Sequence, residues 1–478
     1  MKKYIIVFAA AILALTSCKG FLDEAPLTAQ SDELTLSTIE GVDKAVGGAY
    51  SPLASYQWYG SYFIICNELK TSNGKKSLTC DSGRLYTHYR ISYSPTDTFS
   101  GLWAYAYYVI SCCNEIIDRL ENSSLGTEAQ RNNYIAECLF LRALSHFDLV
   151  ITFAQPYAYT ADASHDGVPV VLHRDLAAKP KRDSVKKVYD QVIEDLLLAE
   201  KLIDPAYRRS GTDPAASVTI YAIQALLSRV YLYSQQWQLA ADYANKVIES
   251  GKYKMWESSD ILTVSATSAS SVYWKDIQSD GEVIFEIYGN KSNSYDGYHD
   301  GIAMMTTPAG YGDAAASADL MAIYEASDVR GDLFIEGEGS NLGDFWTAKY
   351  HGKGAATPDY NNTIVLRLSE MYLNRAEAVI NGATGYNAVS DLELIASKRG
   401  ATAQPATKAG VYLERQKELA WEGHLWFDLA RTGRAMTRTD VADGVITEVP
   451  YPNFRWAMPI PDREIIANEN LTQNEWPE

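Results

Sequence analysis

Two stretches of the chain combine tyrosines with charged and amide side chains. One contains Asp81, Arg84, Tyr86, Tyr89, Arg90 and Tyr93, and the other contains Tyr288, Asn290, Asn293, Tyr295, Tyr298 and Tyr311. A tyrosine ring offers a flat apolar face with a polar edge, and neighbouring amide or charged groups can hydrogen-bond the rim of a ligand. The aromatic composition of the whole chain also favours rings with a polar edge, with 33 Tyr and 10 Trp against 12 Phe.

These stretches predict a ligand-binding surface. Its candidate contacts are Asp81, Arg84, Tyr86, Tyr89, Tyr93, Tyr288, Tyr295, Tyr298 and Tyr311, with Trp58 and Trp346 as outlying candidates. The alternative is that each ring only packs its loop onto the body of the protein. If the rings bind ligand, the substitutions Tyr89→Ala and Tyr298→Ala should weaken binding and leave thermal stability nearly unchanged.

The sequence contains none of the common catalytic or metal-binding motifs. H-E-x-x-H, G-x-S-x-G and the P-loop pattern are absent, and the seven histidines are scattered. No pattern among the 60 acidic residues marks a catalytic carboxylate pair. A formal net charge of -18 disfavours nucleic acid as a partner. We therefore predict a protein with no catalytic residue, no cofactor and no metal.

The N-terminus predicts export. Lys2 and Lys3 precede an apolar run, residues 4–15, that is too short to span a hydrocarbon core of ~30 Å. This pattern is typical of a secretory signal peptide, here residues 1–17, rather than of an anchor helix. Ser17 followed by Cys18 resembles a bacterial lipobox, in which the cysteine is lipidated; an ordinary signal peptide with a chance cysteine is the alternative. We predict lipidation at Cys18, with this lipid as the only attachment to a membrane.

Five cysteines follow Cys18. Three of them, Cys112, Cys113 and Cys138, fall in apolar helical patterns and are predicted to be buried thiols. Cys66 and Cys80 flank a polar loop, and in an exported protein they could form a disulfide or stay free. The sequence leaves that alternative open.

The tyrosine-rich stretches interrupt a chain that is otherwise mostly helical. Apolar residues recur at helical spacing in 38–50, 103–120, 134–151, 184–203, 218–250, 366–381 and 386–398. Residues 218–250 predict two helices joined by a turn at 234–236, with alanines at the contact positions and large rings beside them, as in tetratricopeptide units. We predict a mostly α fold, a tetratricopeptide-like helical-repeat scaffold of about four helix pairs, with long loop-rich insertions and a little β structure near 282–288.

A single body, 18–478, is predicted after the signal peptide. Its parts are an N-terminal tether (18–35), helical pairs (36–250) with a loop insertion (55–98), a loop-rich ligand-side region (251–365), a helical pair and following helix (366–435) and a C-terminal covering segment (436–478). Charged residues in helical patterns are predicted to form scaffold ion pairs along one helix face, partly shielded from water. They are Arg142, Arg375, Arg415, Glu370, Glu377, Glu418 and Glu422.

Several sequence blocks occur in the order typical of one family. They are SCKGFLD at 17–23, YIAECLFLRA at 134–143, HFDL at 146–149, RLSEMYLNRAEA at 367–378 and ERQKELAWEGH at 414–424. With these blocks the chain resembles the SusD/RagB family of outer-membrane nutrient-binding lipoproteins. The resemblance extends over nearly the whole mature chain.

The resemblance implies a surface-exposed, non-catalytic lipoprotein of the outer membrane. Such a protein captures glycans or oligosaccharides and delivers them to a SusC-like TonB-dependent transporter as its partner. The helical-repeat side would face the transporter, and the loop-rich side would carry the ligand. Two alternatives remain open from the sequence, namely capture of peptides, and an interaction scaffold that binds no ligand.

Overall fold

The computed structural model describes residues 35–212, 214–261, 264–265, 268–269, 281–289, 300–350 and 361–476. The predicted signal peptide, Cys18, and the candidates Asn290, Asn293, Tyr295 and Tyr298 lie outside these ranges.

Helices form most of the described structure. They are α1 Ile39–Tyr50, α2 Tyr62–Leu69, α3 Tyr86–Arg90, α4 Ser100–Glu121, α5 Glu128–Phe153, α6 Val185–Leu202, α7 Ile220–Tyr233, α8 Trp237–Glu249, α9 Ser258–Ile261, α10 Ile302–Met305, α11 Ala318–Met321, α12 Leu368–Ile380, α13 Ala388–Arg399, α14 Lys408–Leu419, α15 Leu425–Arg431 and α16 Asp462–Ala467. None of the helices in the described ranges is both long and apolar enough to cross a membrane.

The long helices pack side by side in pairs. Helix α1 packs on α4, α5 on α6, α7 on α8 and α12 on α13, and α8 joins the third pair to the fourth by packing on α12. Ser184 caps the N-terminus of α6 by accepting a hydrogen bond from the backbone N–H of Lys187. The predicted tetratricopeptide-like scaffold of about four helix pairs is therefore confirmed for the part of the chain that the structure describes.

Helix α5 runs through the middle of the fold. A capping box starts it, because Thr127 accepts from the Gln130 N–H while the Gln130 side chain accepts from the Thr127 N–H. From Asn133 to Val150 every residue is buried, so the helix has contacts on all sides. It packs against both α4 and α6, and its apolar side chains form the centre of the largest hydrophobic core.

Short strands build the loop-rich part. They are β1 Gly74–Lys76, β2 Val264–Ser265, β3 Ser268–Ala269, β4 Val283–Ile287, β5 Ala314–Ala316, β6 Phe334–Glu336, β7 Phe345–Thr347, β8 Thr363–Arg367, β9 Met436–Thr437 and β10 Glu448–Val449. Strand β4, predicted from its alternation, pairs antiparallel with β8, and a four-stranded sheet has the order β1-β5-β7-β6. This sheet connects the loop after α2 with the region after residue 300.

The insertion 55–98 is more ordered than the sequence predicts. It contains α2, which is buried at every residue except Tyr62, and the five-residue α3. A helix that is buried nearly all round has no polar face, so the amphipathic spacing that reveals the other helices is missing. The prediction of loops throughout 55–98 is therefore wrong for these two segments.

The charged residues of the helical patterns do form buried ion pairs, but their partners lie on other elements. Arg142 on α5 donates to both carboxylate oxygens of Asp195 on α6, at 2.8 and 2.7 Å. Arg415 on α14 contacts Asp428 on α15 at 3.2 Å. These pairs therefore join helices, whereas the sequence predicts pairs along one helix face.

The described cysteines are all free. Cys66 lies buried in α2, and Cys80 lies half-buried in the loop after β1, so the possible Cys66–Cys80 disulfide does not form. Cys113 and Cys138 are buried thiols as predicted, whereas Cys112 is only partly buried.

Candidate ligand-binding site

Three loop segments meet on one side of the helical body. The backbone N–H of Ile302 donates to the carbonyl of Gly60 at 2.8 Å, which joins the segment 300–313 to the turn before α2. The backbone N–H of Ser82 donates to Asp313 Oδ1 at 2.9 Å, which joins the loop after β1 to the same segment. Lys76 strengthens this second junction, because it pairs with Asp313 and donates to the carbonyl of Arg84 at 3.0 Å.

Arg84 lies where these segments converge. Its Nε donates to Asp300 Oδ1 at 2.6 Å, and its guanidinium carbon lies 4.2 Å from the centroid of the Tyr311 ring. Burial acts to lower the pKa of Arg84, but the hydrogen bond and charge of Asp300 outweigh it and raise the pKa. The guanidinium is therefore charged, fixed against a ring, and about one-third exposed to solvent.

Two more tyrosines complete this group. The rings of Tyr56 and Tyr62 meet edge to face, with centroids 5.4 Å apart. Partial burial raises the pKa of both phenols, and the nearby charge of Asp300 raises both further. Both hydroxyls therefore stay protonated and can donate hydrogen bonds. We call Tyr56, Tyr62, Arg84, Asp300 and Tyr311 the Arg84 cluster; each of its five side chains is partly exposed.

Asp81 and Tyr86 form a hydrogen-bonded pair beside this cluster. Tyr86 Oη donates to Asp81 Oδ2 at 2.7 Å, and this bond raises the pKa of Tyr86 and lowers that of Asp81. The Tyr86 ring also has cations near it, with Lys76 Nζ at 4.8 Å and the Arg90 guanidinium at 4.7 Å from its centroid. The ring of Tyr86 is thus already partly occupied by other side chains.

Tyr89 and Tyr93 do not face a ligand. They are only 3% and 1% exposed, so neither presents a ring face to solvent. The Tyr89 hydroxyl accepts from the backbone N–H of Ala442, and the Tyr93 hydroxyl donates to the carbonyl of Arg455. Both rings hold the C-terminal segment onto the body, and their prediction as ligand contacts is wrong for this reason.

The outlying tryptophans are buried as well. The Trp58 indole N–H donates to Asp148 Oδ2 at 2.8 Å, and that of Trp346 donates to the carbonyl of Gly312 at 2.9 Å. Each ring packs a loop onto the body, which is the alternative that the sequence left open.

Tyr288 is 45% exposed and follows the last residue of β4. Its neighbour Ile287 pairs with Thr363, whose hydroxyl donates to the carbonyl of Tyr59 at 2.9 Å. Because Tyr59 lies between Tyr56 and Tyr62, the end of β4 borders the same turn that carries two rings of the Arg84 cluster. The structure thus brings Arg84, Tyr311 and the region of Tyr288 together around one turn.

Three members of the Arg84 cluster were missed by sequence reasoning, namely Tyr56, Tyr62 and Asp300. Tyr62 is the first residue of α2, and recognising that helix would have placed its exposed end beside Tyr56. Asp300 follows the tyrosine-rich stretch directly, but its pairing with Arg84 joins residues 216 positions apart. No local pattern carries that information.

The carboxylates near the cluster are held by cations or hydrogen bonds. Asp300 is paired with Arg84 and Asp313 with Lys76, while Asp81 has a lowered pKa. A general acid for glycoside cleavage would need a raised pKa. Nowhere in the described ranges do three or more His, Cys, Asp or Glu side chains come together in a group that could hold a metal ion.

The geometry defines a class of protein. It is a helical-repeat body whose loops carry partly exposed aromatic rings and paired charges. Comparison with known proteins names the family. Residues 20–232 match the family model described as "Starch-binding associating with outer membrane", and residues 341–477 match the model described as "SusD family". The chain belongs to the SusD/RagB family.

Similar proteins match more than nine-tenths of the chain. A SusD superfamily protein from Bacteroides thetaiotaomicron has 27% identity and a TM-score of 0.81, over 92% of this chain and all of that one. A second, from Bacteroides vulgatus, has 28% identity and the same TM-score over the same shares. The SusD-like protein P25 of Formosa agariphila is 23% identical, with 98% of each chain covered.

Proposed function

We propose that this protein captures glycans at the Arg84 cluster, with Tyr288 at its border, and delivers them to a SusC-like TonB-dependent transporter. The observation that carries the proposal is the set of partly exposed rings of Tyr56, Tyr62 and Tyr311 around the Arg84–Asp300 ion pair. Membership in a family whose model is described as starch-binding supports the choice of glycan as cargo.

The chemistry of the cluster fits a saccharide. Sugar rings have apolar C–H faces on which a tyrosine ring can stack, and hydroxyl groups around the rim that need hydrogen-bond partners. The Arg84 side chain makes no hydrogen bond other than the one to Asp300 among the described residues, so its Nη groups can donate to ligand hydroxyls. Asp300 can accept from them.

In this proposal the protein binds its glycan cargo without cleaving or modifying it. Asp300 is paired with Arg84 at 2.6 Å, and hydrogen bonds from Tyr86 and Gly83 lower the pKa of Asp81, which is the opposite of what a proton-donating carboxyl group needs. Attachment to the outer membrane through lipidated Cys18 is part of the proposal. It is supported by the lipobox-like sequence and by the family model's description, "associating with outer membrane".

The experiment is isothermal titration of the mature chain with maltohexaose, cellohexaose, xylohexaose and a tryptic peptide digest. We expect at least one hexasaccharide to bind, and Tyr311→Ala to weaken that binding about tenfold or more through the lost ring face. The matched control is Tyr108→Ala, which removes a 52% exposed ring on α4 outside the cluster and should leave binding unchanged.

The outcomes separate the alternatives. Heat released with the peptide digest alone would replace glycan by peptide as the cargo, and no heat with any probe would favour an interaction scaffold. Equal affinity of wild type and Tyr311→Ala for a bound hexasaccharide would show that the Arg84 cluster is not the site.

A further inference from the structure

A second cleft, of about 490 Å³, lies between the loop after α5 and the C-terminal covering segment. Its walls include Gln155, Tyr159, His165, Arg182, Phe454 and Asn474. We call it the Gln155 cleft; it shares no residue with the Arg84 cluster. Its volume falls within the range, roughly 300–1,000 Å³, that is usual for small-molecule sites.

The side chain of Gln155 is fixed in one wall of this cleft. Its Nε2 donates to the carbonyl of Asn453 at 3.0 Å, which fixes the orientation of the amide. Its Oε1 is buried and has no hydrogen-bond partner among the described residues. Because Oε1 has almost no exposed surface, it does not face a ligand in the cleft, and the amide serves to hold the covering segment in place.

Tyr159 supplies an open aromatic surface at the same place. The residue is 43% exposed, and its ring meets His165 at an angle of 68° with centroids 5.2 Å apart. The contact with His165 therefore leaves much of the tyrosine ring uncovered. Phe454 adds a second ring to the wall; Trp476 packs against it at 90°, with centroids 4.7 Å apart.

The charges of the cleft do not favour an anion. The buried Arg182 donates to four backbone carbonyls, those of Phe153, Asp166, Gly167 and Thr472. Two exposed carboxylates, Asp166 and Glu475, line the cleft as well. The Arg182 guanidinium is therefore used inside the protein, and the acids around it oppose a negative ligand.

His165 is neutral in this setting. Its Nε2 donates to the carbonyl of Gln155 at 3.0 Å, and its Nδ1 accepts from the hydroxyl of Thr160 at 2.8 Å. Burial lowers the pKa of the ring, in agreement with this hydrogen-bonding pattern. Among the residues that line the cleft, the wall thus combines uncovered ring surface with exposed polar groups, and its one guanidinium is already used inside the protein.

We propose that the Gln155 cleft is a second glycan-binding site, which takes a neutral, hydroxyl-rich saccharide unit stacked on the exposed ring of Tyr159. The proposal rests on the proposed glycan-binding function, since it assigns a second contact to the same kind of cargo. Two sites on one molecule would allow a long chain to be held at two points, which raises avidity when the spacing fits.

The test is isothermal titration of the mature chain with maltohexaose, cellohexaose and xylohexaose, each short enough to occupy the sites separately at high ligand excess. Wild type should bind two molecules of one hexasaccharide. Tyr159→Ala should remove or weaken one of these events about tenfold, and Tyr159→Phe, which keeps the ring, should retain it. Tyr108→Ala is the matched control, and unchanged thermal unfolding of Tyr159→Ala excludes a folding defect.

The two proposals fail in different ways. Loss of one binding event in Tyr159→Ala and of the other in Tyr311→Ala supports both sites. An event lost only in Tyr159→Ala supports the Gln155 cleft and overturns the Arg84 cluster as a site. Binding of one molecule that is unaffected by Tyr159→Ala, or no binding of any of the three probes, overturns the Gln155 cleft.

Discussion

Arg84 preorganises the proposed ligand site. Its guanidinium is fixed by Asp300 at 2.6 Å and lies against the Tyr311 ring, so three chain segments present their polar and aromatic groups in one arrangement before any ligand arrives. A ligand that binds such a surface loses less free energy to the ordering of side chains. Tyr86 is likewise fixed by its hydrogen bond to Asp81, although Lys76 and Arg90 already lie against its ring.

Tyr89 should act on stability and not on ligand affinity. Its ring is buried, Arg438 lies 5.2 Å from the ring centroid, and its hydroxyl accepts from Ala442 at 3.0 Å. Tyr89→Ala should therefore lower the free energy of unfolding by about 3 kcal/mol, through the cavity it leaves. Tyr89→Phe should lower it by only about 1 kcal/mol, the value of one hydrogen bond.

Urea unfolding followed by circular dichroism measures both changes. Tyr86→Ala is the matched control on the same short helix, and its partly exposed ring should cost less than that of Tyr89. A Tyr89→Ala protein that unfolds like wild type but binds hexasaccharide more weakly would contradict the structural role of Tyr89 and would support Tyr89 as a ligand contact.

The burial of Tyr89 shows why the sequence predicts only part of the site. The stretch 81–93 was recognised by its mixture of rings and charges, and Arg84 does lie at the centre of a surface cluster. Whether a given ring faces solvent is decided by distant segments: the partner of the Tyr89 hydroxyl lies 353 positions along the chain. Composition identifies a region rich in rings, whereas only tertiary packing separates exposed rings from buried ones.

Among the elements, α14 has a special role because it carries Glu418. This carboxylate accepts from Arg330 at 3.0 Å, Arg367 at 2.6 Å and Arg399 at 2.9 Å, and all four side chains are nearly fully buried. Arg367 ends β8 and Arg399 ends α13, while Arg330 lies in the loop-rich part. One carboxylate thus attaches the loop-rich part to the helical body.

Removing that charge should be strongly destabilising. Glu418→Gln keeps the shape of the side chain but leaves three buried guanidinium groups short of one counter-charge. We expect the free energy of unfolding to fall by about 3 kcal/mol or more, measured by urea denaturation. The matched control is Asp190→Asn, which breaks the exposed pair with Lys186 and should have no measurable effect. Equal stability of the two variants would contradict the linking role of Glu418.

At the scale of elements, the sequence predicts the helices that are amphipathic. The pattern predicted a helix at 184–203, and α6 spans Val185–Leu202, because a helix with one buried face keeps its apolar residues at helical spacing. The strand β4 was found by its alternation, but its partner β8 was not. Pairing across the sheet depends on contacts between segments that are remote in sequence, such as Val283 with Arg367.

In the whole molecule, the two proposed sites are joined by one loop. Residues 92–99 follow the segment that carries Arg84, and the Thr98 hydroxyl donates to the carbonyl of Pro459 at 2.9 Å. The backbone N–H of Asp462 donates to the carbonyl of Pro95, also at 2.9 Å. The covering segment that forms one wall of the Gln155 cleft is therefore attached to the chain that leads from the Arg84 cluster. Such a direct connection would keep the spacing of the two sites constant.

Buried histidines should govern how the stability of the whole molecule depends on pH. His146 in α5 is fully buried, and its Nδ1–H donates to the carbonyl of Arg142 at 3.1 Å, while its Nε2 accepts from the N–H of Val171 at 3.3 Å. Protonation of Nε2 would place two hydrogens against each other. Burial and the neighbouring Arg142 lower the pKa of His146 to about 3, so the folded protein keeps it neutral.

The sign of the effect follows from proton uptake. In the unfolded chain His146 takes up a proton near its ordinary pKa of about 6.5, whereas the folded protein does not until about pH 3, so stability is lost as pH falls through this window. The loss should be about 1.4 kcal/mol per pH unit for this one group. Burial raises the pKa of Glu68 and Asp148 to about 7, and these carboxyls act in the opposite direction between about pH 7 and 4.5.

Urea unfolding at several pH values between 7.5 and 4 separates these contributions. His146→Gln should reduce the loss of unfolding free energy on acidification by about 1.4 kcal/mol per pH unit. The double variant Glu68→Gln, Asp148→Asn should make this loss steeper, because it removes the two groups that oppose it. The control is His173→Gln, which removes an imidazole whose side chain is 80% exposed at the surface. If His146→Gln and His173→Gln gave the same pH dependence, a charged imidazole would have to be present inside the folded protein, and the neutral hydrogen-bonding pattern at His146 would be wrong.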